Sequence, residues 1–323
     1  MKNTTPATAV LAALLISIFS IHPNVAEAKR QGWKRFLFGP RSKATLKAVV
    51  KQPAKLYARD VVAALDANSH ETFSGLLMSK MDEAAGAAAR GATGLSRFVT
   101  VRASEMNFPT QAKAGDSLSL YAKVTRLGST SLTIEVEAKR RAPGPLRAEQ
   151  SVTHGTFVFV AMDRWAHPRP LKGGIIPWAG NRLKKLGKKL RAVLTRTTPK
   201  AIAPSLPPPE SKTLPVLIEA RHKDKNAAGQ IFGGWLMSQM DKAATDHALD
   251  TTFDRWRTKR VESMEFVSPV QVGQAVSVQT EIVHRDAEMV KVEVAAYRAP
   301  REEPNQLTKV TSALFTLKPL RKD

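Results

Sequence analysis

The 323 residues predict an α+β fold that the chain builds twice. Two observations carry this. The first is an internal repeat. FSGLLMSKMDEAA at 73–85 aligns with FGGWLMSQMDKAA at 232–244, which puts Asp241 159 residues after Asp82. SEMNFPTQAKAGD at 104–116 aligns with ESMEFVSPVQVGQ at 262–274, with Met106, Phe108 and Gly115 on Met264, Phe266 and Gly273, at an offset of 158. THGTFVFV at 153–160 aligns with TSALFTLK at 311–318, with Phe157 on Phe315, at that same offset. Three separated matches at nearly one offset mark a duplicated unit of roughly 110 residues. The second observation is the period of the apolar residues. It is helical at 75–90 and 234–249, where Met and Ala dominate, and alternates by two at 117–127, 131–141, 155–162, 275–285, 289–298 and 312–318. Alternation of that kind marks half-buried antiparallel strands. One helix laid on one antiparallel sheet is a layer fold, and two copies suggest a pseudo-dimer.

The elements fall in order along the chain. Residues 1–28 form a signal-like or anchor segment: Lys2, an apolar run from Ala9 to Ile21, and Ala26-Glu27-Ala28 as an A-x-A site. The apolar run is 13 residues, against roughly 20 for a comfortable span. Cleavage after Ala28 would export the protein. An uncleaved anchor, flanked by Lys29, Arg30, Lys34 and Arg35, would keep the body facing the cytoplasm. A basic segment follows at 29–52, then the first unit at 53–163. A basic, Pro-rich linker at 164–212 separates it from the second unit at 213–323. The linker holds PSLPPPE, a stiff spacer. It also holds NRLKKLGKKLRAVLTR at 181–196, with leucines 183, 186, 190 and 194 on one helical face. The basic segments suit a solvated surface or an anionic membrane surface.

The composition bounds the chemistry. The net charge is +22 and the pI about 10.4, so an anionic partner fits. The excess lies largely in the tail and linker, and no aromatic-rich platform accompanies it, so nucleic acid is not expected as a partner. There are no cysteines, which excludes disulfides, thiol nucleophiles and thiolate metal sites. The seven histidines show no H-E-x-x-H spacing, and no G-x-S-x-G elbow or P-loop is present. No metal or resident cofactor is expected. The methionines at 78, 81, 237 and 240 read as core.

One stretch resists a purely structural reading. NAAGQIFGGWLMSQMDKAATDHA, residues 226–248, places Asp241 inside an apolar helical run. Burying a carboxylate costs several kcal/mol unless something pairs or uses it. This motif, read as N-x-x-G-x-I-F-G-G-W-L-M-S-Q-M-D, resembles the hotdog-fold acyl-CoA thioesterases, in particular the YciA-like acyl-CoA hydrolases. VTVRASEMNF and THGTFVFVAMD of the first unit look like the same family. The resemblance covers both units. It implies a tandem, or double, hotdog, each unit a long helix wrapped by an antiparallel sheet. It also implies hydrolysis of acyl-CoA to a fatty acid and CoA, with an Asp and an Asn as the catalytic pair. CoA would then enter as part of the substrate.

The residues bear physical roles beside that resemblance. Gly233, Gly234 and Gly75 stand at helix starts, where free N–H groups and an absent side chain suit a substrate carbonyl. Asp82 or Asp241 can serve as general base on water or attack the thioester itself. Asn226 can orient the water or donate to the carbonyl. Gly234 and Asp241 are seven residues apart, about 10 Å along one helix, whereas a reacting carbon lies ~3 Å from both nucleophile and oxyanion donor. A composite site is therefore expected, the glycine end of one unit facing the aspartate of the other.

The copies differ. Asn226 precedes Asp241 by fifteen residues but Asn68 precedes Asp82 by fourteen; His70 replaces the motif glycine and Ser74 replaces Gly233. One complete site, Asn226–Gly234–Asp82, and one degenerate site, Asn68–Gly75–Asp241, are expected. The competing reading is a non-catalytic acyl-CoA- or lipid-binding double hotdog at a membrane. A homo-oligomer of double hotdogs is expected as well, since the resemblance implies a family active as a dimer or as a fused double hotdog.

Overall fold

The computed structural model describes residues 50, 52–61, 73–110, 112–113, 115–144, 147–171, 216–226, 229–252, 256–299 and 307–320. The signal-like segment 1–28, Asn68 and the basic stretch 181–196 lie outside them. Among the described residues no helix is long and apolar enough to cross a membrane.

The first half contains β1 (Lys55–Val61), α1 (Phe73–Thr93), β2 (Phe98–Ala103), β3 (Met106–Asn107), β4 (Ser117–Leu127), β5 (Ser131–Arg141) and β6 (Gln150–Ala161). The second half repeats it with β7 (Val216–Glu219), α2 (Gly233–Thr252), β8 (Trp256–Val261), β9 (Met264–Glu265), β10 (Ala275–Arg285), β11 (Val290–Ala299) and β12 (Thr308–Pro319). Each helix lies on an antiparallel sheet, the arrangement the resemblance implies.

Both helices begin earlier and end later than their apolar periods suggest. Gly75 is thus the third residue of α1 rather than its start, and Gly234 the second of α2. The added residues at the start carry contacts across the molecule instead of a repeating apolar face, so periodicity did not report them. Thr93 ends α1 by donating its hydroxyl to Ala89 O at 2.8 Å, and Gly94 takes the left-handed conformation, φ 75°.

The core follows the two periods. Leu77, Met78, Met81, Ala84, Ala85, Ala88 and Ala89 make the buried face of α1, and Leu236, Met237, Met240 and Ala244 that of α2. The four helix methionines are core, as expected. Alternate residues of β5 (Leu132, Ile134, Val136, Ala138) and β11 (Val290, Val292, Val294, Ala296) close onto them.

The sheets are not separable along the chain. One runs β1-β4-β5-β6-β2-β9 and the other β3-β8-β12-β11-β10-β7, so each half lends a two-residue strand to the other's sheet. Met106 and Asn107 pair with Val261 and Arg260, and Met264 and Glu265 with Ala103 and Arg102. The exchange continues symmetrically: Phe108 N–H donates to Lys259 O at 2.8 Å, and Phe266 N–H to Val101 O at 3.0 Å. This locks β2 to β9 and β8 to β3, and β2 and β8 are the strands that face the two helix aspartates.

Candidate active site

Asp82 and Asp241 are both fully buried, each in the middle of its helix. Asp82 Oδ2 accepts the Gly234 N–H at 2.7 Å, a bond between residues 152 apart in sequence. Its Oδ1 accepts the Thr100 hydroxyl at 2.7 Å. The start of the second unit's helix therefore meets the middle of the first unit's helix, the pairing that the distance along one helix requires.

Glycine at 234 is a steric necessity. A Cβ there would lie 2.7 Å from Ser79 Cα and 2.8 Å from Ser79 O, backbone that cannot yield. At Gly233 a Cβ would lie 3.0 Å from Thr100 Cβ and 3.2 Å from Asp82 Oδ2. The two glycines let α2 approach α1 until an N–H of its first turn, otherwise without a helical partner, reaches the carboxylate. That N–H is committed to Asp82.

Burial dominates the electrostatics of Asp82. Desolvation pushes its carboxyl up to about 7, against the lowering effect of the Thr100 and Gly234 hydrogen bonds; Glu83 nearby adds to the rise. The group is poised to take or release a proton at neutral pH.

Asn226 sits on the turn before α2. Its Oδ1 accepts the Gln230 N–H at 3.2 Å, and its own N–H donates to Gln230 O at 2.7 Å. Asn226, Thr100 and Gly233 line one cavity of about 40 Å³, closed further by Phe232, Phe266 and Val310. That is room for a water or two beside Thr100, whose hydroxyl holds the Asp82 carboxylate.

The second aspartate keeps the pattern with one change. Thr258 donates its hydroxyl to Asp241 Oδ1 at 2.5 Å, the counterpart of Thr100. Ser74 takes the place of Gly233, and its hydroxyl donates to Asp241 Oδ2 at 2.6 Å. Ser74 thus brings a hydroxyl to the aspartate where Gly233 has no side chain. Gly75, the counterpart of Gly234, is buried on α1, and Asn68 lies outside the described residues.

Thr100 and Thr258 were not among the residues picked out from the sequence. The signal was there: extending the repeat four residues back from Ser104 and Glu262 places the two threonines on each other. Among the described residues no group of His, Asp or Glu could hold a metal ion.

Comparison with known proteins adds three findings. Residues 72–145 and 228–305 match the sequence model of the Thioesterase superfamily. An acyl-CoA thioester hydrolase of Zymomonas mobilis, itself uncharacterised, is 42% identical over 111 residues, 33% of this chain and 72% of that protein. The acyl-CoA thioester hydrolase YciA of Escherichia coli (strain K12) is 39% identical over 94 residues, 28% of this chain and 71% of its own. Among solved structures, acyl-CoA thioesterase II TesB2 from Mycobacterium marinum superposes with a TM-score of 0.51 at 11% identity, covering 86% of this chain and 99% of that one, a likeness of fold.

Proposed function

The chain belongs to the thioesterase superfamily, with a tandem hotdog fold, and we propose that it hydrolyses fatty acyl-CoA at one composite site made by Asp82 and the start of α2. The observation that carries the reading is the 2.7 Å bond from Gly234 N–H to the buried Asp82 carboxylate. It joins a base of suitable proton affinity to a helix N-terminus supplied by the other half.

Asp82 acts as the general base. A water held near Asn226 gives its proton to the carboxylate as its oxygen attacks the thioester carbon. The C–S bond then breaks, and the departing sulfur takes that proton back from Asp82 to leave as the CoA thiol; the other product is the fatty acid. Thr100 fixes the carboxylate by its Oδ1, and Gly234 by its Oδ2. The first-turn N–H groups of α2 and the bare Cα of Gly233 receive the carbonyl, where positive charge stabilises the developing oxyanion. The serine-filled site at Asp241 is read as inactive.

The test is release of thiol from acetyl-, butyryl- and long-chain acyl-CoA. The chain has no cysteine of its own, so a thiol reagent reports only CoA. Turnover is expected. Tight acyl-CoA binding with no thiol released would replace the enzyme by a lipid-binding module.

A further inference from the structure

A groove of about 600 Å³ opens between the two halves, away from the Asp82 cavity. Its walls carry four cations, Lys113 and Arg140 from the first half and Arg257 and Lys318 from the second, against a single carboxylate, Glu288. Arg140 is committed to the buried Asp116 at 3.0 Å. Lys113, Arg257 and Lys318 have no ion pair among the described residues. Arg257 Nε is shielded from water and has no hydrogen-bond partner among them either. Lys259 stands beside the groove and donates to Pro109 O at 2.9 Å. Burial, with the like charges of Arg257 and Lys318, holds Lys259 below the usual lysine range. Crowding cations in this way is unfavourable until an anion arrives.

The duplication shows that the fold does not need these charges. Aligned by the repeat, Val99 stands where Arg257 does, Val101 where Lys259 does, Gln271 where Lys113 does and Val160 where Lys318 does. At these four places the other half carries neutral residues. Arg257 and Lys259 flank Thr258, whose hydroxyl holds Asp241. The basic groove therefore lies on the side of the serine-filled aspartate, while its counterpart beside Asp82 keeps one of the four cations, Arg298 in the place of Arg140.

We propose that this groove binds a small molecule carrying a diphosphate, such as inorganic pyrophosphate or a nucleoside diphosphate. Three uncommitted cations drawn from both halves can surround adjacent phosphates, and Arg257 can offer its guanidinium to one of them in paired hydrogen bonds. The volume lies in the range of small-molecule sites and well above the needs of a single phosphate. Binding here stands independently of turnover at Asp82.

The experiment is calorimetric titration of the full chain with pyrophosphate and with ADP at low salt. The comparison variant is Arg257→Val/Lys318→Val, which installs the residues that the other half carries at those places. The wild type is expected to bind, with affinity falling as salt rises, and the double variant to bind about tenfold more weakly or worse per cation removed. Tighter binding of ADP than of pyrophosphate would add contacts to the base; equal binding would leave the phosphates as the recognised group. Thermal melts check the fold, and Lys113→Gln, at the rim of the groove, should show the same loss on its own. Absence of binding by either probe would overturn the proposal, as would equal affinity in wild type and variants. So would a raised KM for acyl-CoA in the double variant, since the cations would then belong to the substrate.

Discussion

Asp82 holds three properties in one side chain: complete burial, two short hydrogen bonds and a carboxyl raised to about 7. A base must be deprotonated, so kcat/KM should climb with pH and level off above about 7, a profile that initial rates at constant ionic strength will show. Thr100→Val removes one of the two bonds that favour the charged carboxylate while keeping the shape. The rising limb of that profile should then move to higher pH, with an intact melt; an unmoved limb would mean Thr100 does not touch the base. Much of this site was legible at the level of residue identity. A carboxylate inside an apolar helical run and a doubled glycine announce themselves in one dimension. Thr100 did not, because a threonine in a strand is ordinary and only its distance to Asp82 gives it a role. The Ser74 replacement was visible in the repeat, but its hydrogen bond to Asp241 depends on where α1 meets α2.

The first turn of each helix meets the middle of the other, and the contact at Gly234 sets a strict packing demand in the fold. Gly234→Ala would press a methyl group against Ser79 backbone at less than 3 Å. The helices must separate, which should cost about 1–3 kcal/mol of stability by overpacking and draw the Gly234 N–H off Asp82. Denaturant melts and kcat measured together should both fall; a stable, active variant would show that the close approach is dispensable. At this scale the sequence was a partial guide. The long strands β4, β5, β10 and β11 follow clean alternation, so their positions were readable. The exchanged strands β3 and β9 have two residues each, too short for any period, and they pair with the opposite half of the chain. The edge strands β1 and β7 are short of a clean alternation, β7 having only four residues, three of them exposed.

For the whole molecule, the buried carboxylate links activity to stability. The folded-state carboxyl of Asp82 lies near 7, above its ordinary 3.8, so the folded state holds this proton more tightly than the unfolded chain. That stabilisation is complete below about 3.8 and is lost as pH rises through about 7. Asp82→Asn keeps both hydrogen bonds, with its amide oxygen facing Gly234 and its NH₂ facing the Thr100 hydroxyl. It should therefore be more stable than wild type at pH 8, by up to about 4 kcal/mol, with the gap closing toward pH 4. Thermal melts across that range will show it; a constant gap would mean that the carboxyl titrates normally. The exposed edge strand β7, with Leu217 70% exposed, suits association of double hotdogs, and Leu217→Asp should lower the sedimentation coefficient of any such assembly. The central claim is that two pseudo-equivalent aspartates do unequal work because one faces a glycine and the other a serine. Steady-state kcat/KM of Asp82→Asn and Asp241→Asn, measured side by side on one acyl-CoA, tests it most directly. Asp82→Asn should lose about 10²–10⁴-fold while Asp241→Asn keeps most of its activity. Equal losses would mean two working sites, and loss in Asp241→Asn alone would place the chemistry at the serine-filled aspartate and contradict the account.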